Sequence, residues 1–139
     1  MDTPELTNNA QDPQVKRLIE RAQRDPDVLA VILYGSRARG EQTSGSDIDI
    51  CLVLASDKVS SENHVAVRER YLAEHAGVDL HIFQQLPLYI RHRVLKEGVV
   101  LFCKDVDALY AVACRTARAY EDFKPIYRQC LAQVARVGP

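Results

Sequence analysis

Apolar and polar positions recur along this chain with two periods, and the switches between them mark its elements. Val15, Leu18, Ile19 and Ala22 fall at helical spacing behind Asp12-Pro13, an N-cap residue followed by proline at the first helical position, and Asp25-Pro26 closes the segment. Residues 28–33 are an unbroken apolar run with β-branched members, as in a buried strand. A second strand starts in polar residues at Ser46 and continues through Asp47-Ile48-Asp49-Ile50 to Leu54. Ser60 or Ser61 then opens a helix reaching His75 or Ala76, with Gly77 just past its end. Val78 to Phe83 alternates and predicts a third strand. Pro87 begins a short helix closed by Gly98, and Val99 to Cys103 form a short final strand.

The last segment is helical throughout. Behind Asp105, a good N-cap, Leu109, Ala113, Thr116, Tyr120, Phe123, Tyr127, Cys130 and Val134 recur at alternating spacings of four and three, which makes a continuous seam. Pro125 is expected to kink this segment or divide it in two, because proline removes a helical hydrogen bond. The seam either packs on its own domain or presents its aromatic half, from Tyr120 on, to a partner or a second copy. Residues 1–11 are polar and read as a flexible N-terminal tail, leaving 12–139 as a single domain with residues 105–137 as its C-terminal helical segment.

Charge and cysteine content narrow the class. A net charge of −1 over 139 residues argues against stable nucleic-acid binding, whose footprint is usually strongly basic. No apolar run is long enough to span a bilayer and the N-terminus is polar, so the expected compartment is the cytoplasm and no membrane partner is expected. Cys51, Cys103, Cys114 and Cys130 form no Cys-x-x-Cys pair and read as reduced side chains in core or helix packing.

The chemistry concentrates between residues 35 and 49. Gly35 ends the first strand, where it can take a positive φ and let backbone approach a ligand. Ser36 follows at the position of a helix N-cap, beside unpaired N–H groups, a natural seat for phosphate. Arg37 and Arg39 are candidate phosphate partners through charge-assisted bonds, or equally solvated side chains on an exposed turn. Asp47 and Asp49, two apart on a strand, point to one face while Ile48 and Ile50 point to the other. Two like charges on one face repel unless a cation sits between them, and a site rich in carboxylate oxygen suits Mg²⁺ or Mn²⁺. In the third strand Val78, Leu80 and Ile82 share a face, leaving Asp79 and His81 on the other. Asp79 is unfavourable there by strand propensity and is expected to complete a three-carboxylate site, whereas His81 reads as a surface residue.

Gly35-Ser36, ten residues, Asp47-x-Asp49 and a later strand aspartate together resemble the polymerase-β-type nucleotidyltransferases. In length the chain is similar to the minimal members of that superfamily, the MNT-domain or MntA-like antitoxins. The likeness runs over roughly residues 12–103 and is tightest from Gly35 to Asp49. It implies an α/β (α+β) fold, a small mixed sheet flanked by helices, with a long helical segment at the C-terminus. It also implies that Asp47, Asp49 and Asp79 hold two divalent ions, Mg²⁺ with Mn²⁺ as the alternative, and that Gly35, Ser36, Arg37 and Arg39 bind the nucleotide. Asp79 matches the family's third ligand by order and strand context only. The implied reaction is transfer of AMP from ATP to a hydroxyl, with the three aspartates as the catalytic residues. Family members that modify small drugs such as aminoglycosides generally add a domain that forms half of the acceptor pocket, and little chain remains for one after residue 103. Small stand-alone members resemble antitoxins that pair with HEPN-type ribonuclease toxins and place AMP on a tyrosine of the partner. The alternatives are a non-catalytic module that silences a partner by covering it, and a nucleotidyltransferase acting on a small molecule such as an aminoglycoside. Any of these forms could assemble as a homo-oligomer or hetero-oligomer through the C-terminal helices.

Overall fold

The computed structural model describes residues 12–35, 48–55 and 61–137. Helix α1 (Pro13–Arg24) leads into strand β1 (Val28–Tyr34), followed by β2 (Ile48–Leu54), α2 (Ser61–Glu74), β3 (Val78–Ile82), a 3₁₀ turn (Phe83–Gln85), α3 (Leu88–Glu97), β4 (Val99–Cys103) and α4 (Val106–Val137). The strands lie in the order β3-β2-β1-β4. β1 pairs antiparallel with both β2 and β4, while β2 and β3 run parallel across the α2 connection, so the sheet is mixed. The unbroken apolar run of 28–33 is buried because β1 has a partner strand on each edge and helices on both faces, as β2 does.

Side-chain alternation divides the core in two. On one face Val31, Leu33, Ile50, Leu52, Leu80 and Ile82 meet α1 and α2 through Val15, Leu18, Val67 and Tyr71. On the other, Ala30, Ile32, Cys51 and Val53 meet α3 and α4 through Val94 and Val112, with Phe83 closing the end. A register shift between Val28 and Ala30 turns Leu29 and Ala30 toward the same cluster. Gln84 caps this edge, its side-chain amide accepting from Leu54 N at 3.1 Å and donating to Leu54 O at 3.0 Å.

The predicted caps are present. Asp12 Oδ1 accepts from Gln14 N at 2.9 Å, and Asp105 Oδ1 accepts from Ala108 N at 3.1 Å. Pro125 does not divide the last segment: α4 is a single helix of 32 residues. Ring contacts with α3 hold its axis on both sides of the proline, Tyr120 stacking on His92 at 3.9 Å and Tyr127 on Tyr89 at 5.6 Å between centroids. The seam therefore packs on its own domain up to Tyr127. Beyond it Leu131 and Val134 are exposed, as is Ile126 just before it. The cysteines depart from expectation: all are free thiols, but only Cys51 is buried, and Cys114 and Cys130 lie exposed on α4.

A buried polar cluster ties α1 to α2. Tyr71 Oη donates to Asp25 Oδ2 at 2.8 Å, Asp27 N donates to Asp25 Oδ1 at 3.0 Å, and Arg21 Nη1 lies 3.6 Å from the same carboxylate. Lys104, to which the sequence assigned no role, donates its Nζ to the Asp25 carbonyl. His75 packs against the Tyr71 ring, and neither ring nitrogen has a hydrogen-bond partner among the described residues. Burial holds its pKa below the ordinary 6.5; Arg17 and Arg21 push the same way, and Glu74 opposes them. The unfolded chain therefore takes up this proton first as pH falls. Stability from His75 is full above pH 6.5 and declines below it. Thermal melts should show Tm dropping on the acid side of that value, and His75→Phe should flatten the slope there. An unchanged slope would remove His75 as its source.

Candidate active site

One row across the sheet carries the candidate chemistry. β2 and β3 place Asp49 and Asp79 as register partners, and β1 and β2 place Tyr34 opposite Asp49. Because Ile48, Ile50, Val78 and Leu80 face the α1/α2 core, Asp49, Asp79 and His81 face the other side. Neighbouring strands lie about 4.8 Å apart, so the two carboxylates stand side by side.

Gly35 closes the row. Its φ of 79° is a left-handed conformation that favours glycine. A methyl carbon at this position would sit 3.0 Å from Asp49 Cγ, 3.2 Å from Asp49 Cβ, and inside contact distance of Oδ2. The glycine is therefore needed twice, for its backbone angle and for the space that Asp49 occupies.

His81 departs from its surface reading. Its Nε2 lies 3.3 Å from Asp79 Oδ1, and its ring meets Tyr34 edge-on at 6.4 Å between centroids. The contact follows from strand geometry, since residues 79 and 81 share a face. The Tyr34 phenol is pushed well above its ordinary pKa, by burial first and then by Cys51, Asp49 and Asp79, with Arg68 opposing. It remains a neutral phenol beside Asp49 and Asp79.

Of the predicted site residues, the structure brings together Gly35, Asp49 and Asp79. Ser36, Arg37, Arg39 and Asp47 lie outside the described residues. Among the described residues no group of three His, Cys, Asp or Glu side chains is arranged to hold a metal ion, so Asp49 and Asp79 form a partial donor set. The pair fits a hard divalent cation by its chemistry: two adjacent carboxylates repel, and oxygen donors are what Mg²⁺ and Mn²⁺ take.

Beside Gly35 opens a cavity of about 200 Å³ between the end of β1 and α3, lined by Tyr34, Gly35, Ile90, Arg93, Val94 and Glu97. These helix residues were not singled out from the sequence. The signal was there: positions 90, 93, 94 and 97 share one face of a helix. A second pattern carries less. The Arg-x₄-His spacing of HEPN ribonucleases, expected to be absent, does occur at Arg70 and His75, but His75 is only 7% exposed and lies against Tyr71, across the sheet from the carboxylates.

Residues 16–107 match the family model described as Polymerase beta, Nucleotidyltransferase. The chain belongs to this nucleotidyltransferase family. It is 36% identical over 80 residues to a Methanocaldococcus jannaschii protein named as a protein adenylyltransferase, a match covering 58% of this chain and 60% of that protein, less than two thirds of the relative's length. Among solved structures the fold is similar to a chain of a toxin–antitoxin crystal structure with AMP-PNP, with a TM-score of 0.67 and 20% identity over 88% of this chain and 96% of that one. It is also similar to a chain of the Shewanella oneidensis complex of a tri-AMPylated HEPN toxin with an MNT antitoxin, with a TM-score of 0.64 and 17% identity over 94% of this chain and 98% of the other. At these identities the two structures bear on fold alone. The mixed sheet with flanking helices is the polymerase-β-like architecture expected from the sequence.

Proposed function

We propose that the protein is a Mg²⁺-dependent nucleotidyltransferase that moves AMP from ATP to a hydroxyl of a partner protein, a tyrosine in the first instance, and that it acts as the antitoxin of a HEPN-type ribonuclease toxin. The observation that carries this reading is the row Asp79–Asp49, closed by a positive-φ Gly35 whose missing Cβ leaves room for the Asp49 carboxylate. Support for the protein acceptor comes from the name of the M. jannaschii relative and from the toxin–antitoxin complexes that share the fold. The exposed Ile126, Leu131 and Val134 at the far end of α4 offer apolar side chains to such a partner.

In this proposal Ser36, the backbone following Gly35, Arg37 and Arg39 bind the β- and γ-phosphates. Asp47, Asp49 and Asp79 hold the divalent ions. Bound there, such ions would supply positive charge to offset the triphosphate and to lower the pKa of the attacking hydroxyl. That hydroxyl oxygen forms a bond to the α-phosphorus as the bond to the bridging oxygen breaks, and pyrophosphate leaves. The hydroxyl proton passes to Asp79, which His81 holds in place through its 3.3 Å contact with Oδ1.

Label position tests this reading. With Mg²⁺ and a HEPN-type partner, ATP labelled at the α-phosphorus should mark the partner and ATP labelled at the γ-phosphorus should not. Transfer of the γ-label would make the protein a kinase. A stable complex with neither label, in which the partner is still silenced, would replace catalysis with occlusion.

A further inference from the structure

The cavity beside Gly35 has no assigned role, and its lining is that of a site for a flat ring. Its apolar lining comes from Tyr34 at the end of β1 and from Ile90 and Val94, one helical turn apart on α3. At about 200 Å³ it falls below the roughly 300–1,000 Å³ of pockets that hold a whole drug-sized ligand, so it takes part of a larger molecule. Its rim is charged: Glu97 Oε2 lies 3.5 Å from Arg93 Nε across one helical turn, and both residues line the opening. The cavity begins at the glycine that touches Asp49, and Tyr34 is the register partner of that same aspartate. A nucleotide whose α-phosphate lies at the carboxylate row would have its base one sugar away.

We infer that this cavity binds the base of the nucleotide, against Tyr34, Ile90 and Val94, with Glu97 accepting a hydrogen bond from an exocyclic amine. The inference rests on the nucleotidyltransferase reading above and names the base subsite of that site. A carboxylate only accepts hydrogen bonds, so Glu97 matches the C6 amine of adenine and rejects the carbonyl that hypoxanthine carries there. Arg93 steadies the carboxylate from the adjacent turn.

Equilibrium binding by the full-length protein in Mg²⁺ tests this with three ligands: ATP, ITP and inorganic tripolyphosphate. ATP should bind about tenfold or more tightly than tripolyphosphate, because only ATP brings an apolar ring to the cavity. Ile90→Trp, which fills the space, should bring that ratio close to one and leave tripolyphosphate binding unchanged. Glu97→Gln, which keeps the side-chain shape but adds a donor in place of a carboxylate oxygen, should erase the preference for ATP over ITP. An ATP-to-tripolyphosphate ratio that survives Ile90→Trp overturns the inference, as does equal affinity for the two in the wild type. A variant that binds ATP normally but no longer modifies the partner would make the cavity an acceptor subsite and also overturn it. Failure of the wild type to bind any of the three ligands would instead sink the nucleotidyltransferase reading itself.

Discussion

Asp49→Asn should lower the proposed AMP transfer by on the order of 10³-fold or more. The carboxylate sits at the centre of the row, with Asp79 on one side, Tyr34 on the other and Gly35 against it. Asparagine keeps the shape and removes the charge, so the loss is electrostatic and not a loss of packing. The same variant separates binding from folding. Mg²⁺ with ATP should raise the wild-type Tm, because a ligand that binds only the native state stabilises it by mass action. The shift should be absent or much reduced in Asp49→Asn. A variant that still gains the full Tm shift and still transfers AMP would take Asp49 out of the site.

Gly35→Ala is the second large effect, and it acts through both the backbone and the neighbouring carboxylate. Holding a non-glycine residue at φ 79° costs about 1–3 kcal/mol. The added methyl also meets Asp49, so that carboxylate must turn away from its place beside Asp79. Chemical denaturation should record a loss of roughly 1–3 kcal/mol. Transfer should fall by at least about 10²-fold, even at temperatures where the variant is folded. A stability loss with full activity would mean that Gly35 serves only the turn. Full stability with lost activity would mean that the turn relaxes and the carboxylate alone pays.

The fold was legible wherever one local rule sufficed. Asp12-Pro13, Pro87, Gly98 and Asp105 mark helix ends by capping chemistry, and the apolar run at 28–33 with its β-branched members reads as a buried strand, which it is. The facing of Asp49 and Asp79 followed from strand alternation, which their register partnership bears out. What the chain alone did not reveal depends on contacts between distant segments. His81 reads as surface because strand alternation puts it on the face of Asp79 but cannot show that Tyr34, from a distant strand, will cover its ring. Lys104 has no local signal for its bond to the Asp25 carbonyl, 79 residues away. Pro125 looked like a break because propensity knows nothing of the Tyr89 and His92 rings that brace α4 around it. The cavity walls were similarly hidden: Ile90, Arg93, Val94 and Glu97 form a recognisable helix face, but only the packing of α3 beside Gly35 brings that face to the carboxylate row.

Intact-mass spectrometry tests the central claim most directly. The full-length protein is incubated with ATP, Mg²⁺ and a purified HEPN-type partner, alongside an identical reaction with Asp49→Asn. The wild-type reaction should add the mass of one or more AMP groups to the partner and release one pyrophosphate for each. The Asp49→Asn reaction should leave the partner's mass unchanged. An unmodified partner in both reactions, in a complex that still silences it, would contradict the account.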